Sequence, residues 1–136
     1  MSDSLLCRRA ALTLLGSLFW AGNVGAQADL QLSLVNLIAT PERFNGQRVF
    51  VVGFMHYALT GDSIYLSRDL YDSRDPTNAI WLEYRNPEEF SPLFRSGFDK
   101  KYVAVEGRFT SMHHGHMGRF PGAVEDVTVL RAWGRN

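Results

Sequence analysis

The sequence predicts an all-β domain with one or two short helices, folded as a five-stranded OB-type β-barrel in the order β-β-β-α-β-β. The first observation is a sequence motif that occurs twice, at residues 46–54 and 100–109. In each copy, a strand rich in β-branched residues carries a glycine where the strand must bend. The second observation is a short segment with strong helix signals, which precedes the copy of the motif at residues 100–109. Three strands, a helix and two further strands are typical of this Greek-key barrel.

The first half of the domain contains a predicted short helix and the first strand. Ser33 is placed to cap the helix, the apolar residues that follow fall on one face, and Pro41 ends it. The first strand covers residues 48–57 and is apolar on both faces. Gly53 permits the bulge or sharp coil that lets one strand serve both sides of a small barrel.

The second half contains the other strands and a second predicted helix. The remaining strands are predicted at 63–67, 79–84, 102–110 and 123–133. Before the fourth strand, Asn86 can cap a helix and Pro87 would occupy its first position. The apolar residues at helical spacing after them are Phe90, Leu93, Phe94 and Phe98. We therefore predict that this helix closes the open end of the barrel.

Segment 1–28 has the pattern of a signal peptide. Arg8 and Arg9 precede an apolar run of about 11 residues, and the small residues Ala26 and Ala28 suit a signal peptidase. The OB-fold domain then spans residues 29–136. A membrane anchor is the alternative, but a bilayer needs ~20 apolar residues. The paired arginines leave the Sec and twin-arginine export routes both open.

Composition limits the class of partner. Cleavage removes the single cysteine, Cys7, so the exported chain has no thiol and no disulfide. It also removes two arginines and one aspartate from 14 basic and 14 acidic residues, which leaves a net charge of about minus one with neutral histidines. Non-specific nucleic-acid binders usually show a clear basic excess, because phosphate contacts supply most of their affinity. We predict a periplasmic or secreted monomer with no membrane span after cleavage and no nucleic-acid partner.

The glycines and valines of the repeated motif belong to a wider sequence pattern. Its members are Leu37, Ile38, Pro41, Phe44, Gly46, Val49, Val51, Gly53, Tyr102, Val103, Val105, Glu106, Gly107, His116, Gly118 and Gly122. This pattern resembles that of small exported bacterial OB-fold proteins, which are similar to the tRNA-anticodon-binding-like group and are mostly of unknown function. The resemblance implies the fold over nearly the whole exported chain. It implies no catalytic residue, since fold alone does not imply function.

OB-folds commonly bind ligands on the face of strands two and three, flanked by the loops between strands one and two and between strands four and five. Here that face is predicted to carry Tyr65 and Trp81, with Glu83 close by and His116 on the flanking loop. Exposed aromatic side chains can stack on a base, a sugar or a peptide side chain. The alternative is that both aromatics pack beneath the long loop 69–78.

The loop between strands four and five is rich in soft and borderline metal ligands. Its candidate ligands are Met112, His113, His114, His116 and Met117. Imidazole and thioether groups suit copper, and the histidines alone suit zinc. His56, at the end of strand one, is a further candidate at the same rim. The alternative for His116 is a structural hydrogen bond to the loop backbone.

Signals for an enzyme are absent from the sequence. It contains no nucleophile elbow, no phosphate-cradling glycine loop and no carboxylate pair placed by spacing. We therefore predict a non-enzymatic, exported binding or interaction module without a cofactor, whose ligand is an unknown protein or small molecule. The alternatives are a periplasmic copper or zinc protein that uses the Met112–Met117 loop, and a structural domain without a ligand.

Overall fold

The structure, a computed structural model, describes residues 29–134. The predicted signal peptide, residues 1–28, lies outside the described residues. Within the described range, no helix is both long enough and apolar enough to cross a membrane.

Five strands close into a barrel. The strands of the described chain are β1 (Leu30–Gln31), β2 (Arg48–His56), β3 (Asp62–Tyr65), β4 (Ala79–Tyr84), β5 (Tyr102–Thr110) and β6 (Ala123–Ala132). Hydrogen-bonded neighbours follow the order β2, β3, β4, β6, β5 and back to β2, while β1 pairs with β2 outside the barrel. The β4 and β6 pair is parallel, and the other barrel pairs are antiparallel. This mixed, closed arrangement confirms the predicted OB-type barrel and adds the strand β1.

Strand β2 serves both sides of the barrel, as predicted. It pairs with β5 from Arg48 to Phe54 and with β3 from Phe54 to His56. Gly53 lies at the crossing point, where a Cβ atom would stand 2.8 Å from the Cβ of Ile64. The absence of a side chain there lets the strand coil tightly against its neighbour.

Three short helices surround the barrel. They are α1 (Leu34–Ala39), α2 (Arg68–Ser73) and α3 (Pro92–Ser96), and single 3-10 turns cover Pro41–Phe44, Pro76–Asn78 and His116–Gly118. The predicted first helix is confirmed: the Ser33 hydroxyl accepts a hydrogen bond from the Val35 N–H group at 3.4 Å. Leu34 and Leu37 of α1 are buried in the main core. Helix α1 therefore anchors to the barrel through two apolar side chains.

The helix predicted to begin at Pro87 is wrong in its start, and its predicted packing is confirmed only in part: Phe90 is buried in the main core and Phe98 packs against it. Residues 87–90 form a turn, and α3 begins at Pro92 with the Ser91 hydroxyl as its cap. A residue before proline disfavours the helical region, so Ser91 interrupts any helix that begins earlier. Helix α3 contributes no buried side chain, and its Leu93 is 86% exposed.

The region predicted as a loop at 69–78 contains the helix α2. The Ser67 hydroxyl accepts a hydrogen bond from the Leu70 N–H group at 3.3 Å, and the left-handed residue Arg74 ends the helix. Tyr71 is buried against Phe54 on the outer face of the barrel. This second, smaller core holds a helix that six residues alone would not stabilise.

A bulge in β6 fits around Gly107 of β5. Glu106 pairs with Val129 but Arg108 pairs with Glu125, so β6 has extra residues between the two pairs. Asp126 within this bulge has a φ of 55°. A Cβ atom on Gly107 would lie 2.7 Å from the Glu125 carbonyl oxygen and 2.6 Å from the Cγ1 atom of Val124.

We predict that Gly107→Ala lowers the free energy of unfolding by about 1–3 kcal/mol, because backbone atoms of the bulge would have to move. Gly97→Ala is the matched control: Gly97 has a φ of −65°, and its nearest neighbour would be the Phe94 carbonyl oxygen at 3.4 Å. The control should lie within about 1 kcal/mol of the wild type. Urea unfolding measures both, and equal midpoints for the two variants would contradict the close packing at Gly107.

Candidate functional site

The two aromatic side chains predicted to form an exposed binding face are buried. Tyr65 is 4% exposed and Trp81 is 7% exposed. Tyr65 packs edge-on against Tyr71 of α2, with ring centroids 5.5 Å apart. The prediction of exposed aromatics is therefore wrong, and for Tyr65 the alternative of packing beneath segment 69–78 is confirmed. A double alanine variant at these positions would remove core packing.

Trp81 is covered by a different part of the chain. Its ring centroid lies 5.2 Å from that of Phe120, in the loop between β5 and β6. A Cβ atom on Gly115 of the same loop would lie 2.9 Å from the Trp81 Cδ2 atom, so the loop backbone lies directly on the indole. The indole Nε1 donates a hydrogen bond of 2.7 Å to the Glu83 carboxylate. Trp81 thus joins this loop to β4 and orients Glu83.

A cleft of about 360 Å³ lies beside Trp81 and Glu83. It opens between the turn that precedes β3, strand β4 and the segment that leads into α3. Its apolar lining includes Leu59, Leu82, Pro87, Phe90 and Pro92. The structure therefore brings two of the four predicted ligand residues, Trp81 and Glu83, to one cleft, whereas Tyr65 and His116 do not line it.

A buried carboxylate supports the floor of this cleft. The Asp62 side chain is fully buried and accepts hydrogen bonds from Tyr84 Oη at 2.7 Å and from Arg95 Nη1 at 2.8 Å. Its other oxygen accepts from the Ala58 N–H group at 3.2 Å. Arg95 Nε donates to the Phe90 carbonyl oxygen at 2.9 Å. One carboxylate thus fixes the turn before β3, strand β4 and helix α3 relative to one another.

The electrostatics of this cluster favour the protonated phenol and the charged guanidinium. Burial, and then the charge of Asp62, raise the pKa of Tyr84 far above its usual value. Burial opposes the charge on Arg95, but the hydrogen bond and charge of Asp62 outweigh it and raise the pKa of Arg95. Arg95 therefore forms an ion pair with Asp62, and Tyr84 donates a hydrogen bond to the same carboxylate as a neutral phenol.

Sequence reasoning missed this cluster. Asp62 follows Gly61 in a segment typical of a turn, where aspartate is common, and Arg95 lies between apolar residues of the predicted second helix. The alternation of residues 79–84 predicts that Ile80, Leu82 and Tyr84 face inward. No sequence signal connects Asp62, Tyr84 and Arg95, because their contacts span up to 33 residues along the chain.

The predicted metal ligands have separate surroundings. His113 Nε2 lies 3.9 Å from a Glu83 oxygen, and the Nδ1–H group of His114 donates to the Phe120 carbonyl oxygen at 2.9 Å. The predicted hydrogen bond from His116 to the loop backbone is thus made by His114. His56 instead packs against Tyr71, with ring centroids 5.4 Å apart.

The methionines of this loop, Met112 and Met117, are 79% and 70% exposed. Across residues 29–134, no three side chains of His, Cys, Asp or Glu come together in an arrangement that could hold a metal ion. A site that includes the methionine sulfurs stays a prediction.

No protein-family model matches the chain, and no curated protein is significantly similar to it. The function must therefore be inferred from the site itself.

We predict that Arg95→Met lowers the free energy of unfolding by about 3–5 kcal/mol, because Asp62 would be left as an unpaired buried charge. Tyr84→Phe, which removes one hydrogen bond to that carboxylate, should cost about 1–3 kcal/mol and stay folded. Urea unfolding at pH 7 gives both values.

Arg85→Met is the control for this comparison. Arg85 pairs with Asp126 at the surface, with an Nη2 to Oδ2 distance of 2.6 Å, and exposed pairs contribute little. Its unfolding midpoint should stay close to that of the wild type. If Arg95→Met is no less stable than Arg85→Met, the structural role of the buried pair is wrong.

Proposed function

We propose that this chain is an exported, non-enzymatic binding module whose ligand occupies the cleft beside Trp81 and Glu83. The observation that carries the proposal is that cleft itself: an apolar depression of about 360 Å³ whose floor is held by the buried pair of Asp62 and Arg95. Ligand sites are commonly concave and mostly apolar, with a few placed polar groups. The predicted signal peptide supports a periplasmic or secreted location.

The chemistry of the cleft favours a ligand with an apolar body and a cationic head. Leu59, Pro87 and Phe90 offer apolar surface, and Leu59 is 88% exposed. The Glu83 carboxylate is about half exposed and accepts one hydrogen bond, from Trp81. Asp62 already neutralises Arg95, so Glu83 is the carboxylate of the lining that a bound cation can reach. A small organic ammonium compound or a basic peptide side chain has this chemistry.

The barrel face on which many OB-folds bind ligands is covered in this chain, which is a second reason to place the ligand in the cleft. On that face Tyr65 is covered by α2, and Trp81 is covered by the loop between β5 and β6. A ligand that stacks on these rings would have to displace packed segments of the chain.

We retain the prediction that the protein does not bind nucleic acid tightly. A submicromolar, salt-sensitive complex with single-stranded DNA in a filter-binding titration would overturn it. The likeness to the tRNA-anticodon-binding-like group remains a proposal from the glycine and valine pattern.

The proposal predicts that benzylammonium binds more tightly than benzyl alcohol, by a few-fold, because a partly exposed ion pair with Glu83 is worth about 0.2–1 kcal/mol. Both probes place the same ring on the apolar lining. Fluorescence of Trp81 in a Trp133→Phe background reports occupancy, since Trp81 lines the cleft and these are the two tryptophans beyond the predicted signal peptide.

Glu83→Gln should abolish the preference for the cation while leaving the weak binding of the alcohol, because glutamine keeps an oxygen that can accept from Trp81. Glu42→Gln changes an exposed carboxylate in a 3-10 turn away from the cleft and serves as the control. Equal affinity for the two probes in the wild type, or a preference that survives in Glu83→Gln, would remove the support for this site.

A second candidate is copper or zinc binding by the loop between β5 and β6. The observation in its favour is the 3.9 Å approach of His113 to Glu83, which places an imidazole and a carboxylate at one rim. Elemental analysis of untagged protein from its own exported compartment tests this candidate. We expect substoichiometric metal that is unchanged by the combined variant His113→Ala, His114→Ala, His116→Ala. Stoichiometric metal that is lost in the variant would place metal binding first.

A further inference from the structure

A second hollow, of about 250 Å³, lies beside α2 and is not part of the proposed cleft. Its lining is Phe54, Arg68, Tyr71, Asp72, Arg74 and Lys100. Three of these six side chains are cationic and one is anionic. They come from both ends of α2 and from the turn before β5, so the charges meet only in the folded chain.

The two arginines rest on a buried aromatic floor. The Arg68 Cζ atom lies 5.5 Å from the centroid of the Phe54 ring, and the Arg74 Cζ atom lies 4.4 Å from that of Tyr71. Phe54 and Tyr71 are themselves buried. A guanidinium group that stacks on an aromatic face keeps its edge free for hydrogen bonds in the plane. The floor therefore holds two donor-rich groups at the hollow.

The backbone that carries two of the cations has an unusual conformation. Arg74 and Lys100 each have a φ of 57°, in the left-handed region that residues with a side chain seldom adopt. Hydrogen bonds hold both positions: the Arg74 N–H group donates to the Tyr71 carbonyl oxygen at 3.0 Å, and the Lys100 N–H group donates to that of Met55 at 3.0 Å. Strained backbone of this kind is enriched where side chains are positioned for binding.

The cations of the hollow outnumber its anions. None of Arg68, Arg74 and Lys100 forms an ion pair with another residue of the described chain. Asp72 borders the hollow but offsets one charge of three. The hollow therefore has a net positive charge, although the exported chain as a whole is slightly acidic.

We propose that this hollow binds a phosphate group, with Arg68, Arg74 and Lys100 as its ligands. A tetrahedral oxyanion has several oxygens that can accept from cations on different sides, whereas a carboxylate matches the planar fork of a single arginine. The hollow has a volume of about 250 Å³, and we assign one phosphate group to it. That group belongs either to a small soluble compound or to a lipid head.

His56 provides an internal reporter for this site. Burial, followed by the charge of Arg74, lowers its pKa, and Lys100 acts in the same direction. Asp99 and Asp62 oppose them and raise the pKa, while the rings of Tyr65 and Tyr71 pack against the imidazole. A bound phosphate would offset the positive charges, so it should raise the His56 pKa.

The test is a titration of the wild-type protein with inorganic phosphate, followed by nuclear magnetic resonance, with potassium chloride at equal ionic strength as the reference. We expect saturable shifts at residues around the hollow and a higher His56 pKa in phosphate than in chloride. The chloride reference is needed because general screening also weakens the influence of the cations. Equal His56 pKa values in the two salts would overturn the proposal.

Arg74→Gln and Lys100→Gln should each weaken phosphate binding about tenfold, as expected for the loss of one charged hydrogen-bond donor. Arg119→Gln removes an exposed cation from the loop between β5 and β6 and should leave the affinity unchanged. Circular dichroism and thermal unfolding check that each variant folds. A uniform effect of all three variants would mean non-specific attraction and would also overturn the proposal.

Vesicles distinguish the two sources of the phosphate group. Sedimentation with phosphatidylglycerol vesicles that is lost in Arg74→Gln but kept in Arg119→Gln assigns the site to a lipid head. Saturable binding of inorganic phosphate without sedimentation assigns it to a soluble compound. Binding to neither probe, or sedimentation that Arg74→Gln does not reduce, would exclude this site.

Discussion

The buried carboxylate of Asp62 is the interaction on which the rest of the structure around the cleft depends. A fully buried charge is stable only when it is paired and hydrogen-bonded, and Asp62 meets that condition through Tyr84, Arg95 and the backbone of Ala58. These partners belong to three segments, and α3 itself contributes no buried side chain. The position of the segment between β4 and β5, and with it one wall of the cleft, follows from this pair.

A second constraint is the coverage of the outer barrel face. Tyr71 of α2 packs over Phe54 and Tyr65, while Phe120 and the backbone at Gly115 cover Trp81. The barrel thus has apolar packing on both faces of its central strands. The outer strand face is therefore covered by packed side chains. The cleft beside Trp81 and the hollow beside α2 lie at the edges of the covering segments.

The barrel strands were predictable because their signals are local. Alternation in β4 placed Ile80, Leu82 and Tyr84 inward, and the glycine of β2 indicated where the strand coils. Helix α2 was missed because its six residues carry little helix preference, and the packing of Tyr71 stabilises it. The start of α3 was misplaced because Asn86 and Pro87 form a valid helix signal that Ser91 and Pro92 then interrupt.

The sequence by itself determined the class of fold, the strand positions and the placement of Trp81 and Glu83 on the outward face of one strand. Those features depend on residue periodicity and on glycine and proline geometry, which act over a few neighbouring residues. Only the tertiary structure decided that Trp81 is covered, that Asp62 meets Arg95, and that Arg74 and Lys100 share one hollow. Burial and charge pairing depend on which segments, distant in the sequence, come into contact in the fold. A local sequence pattern does not specify those contacts.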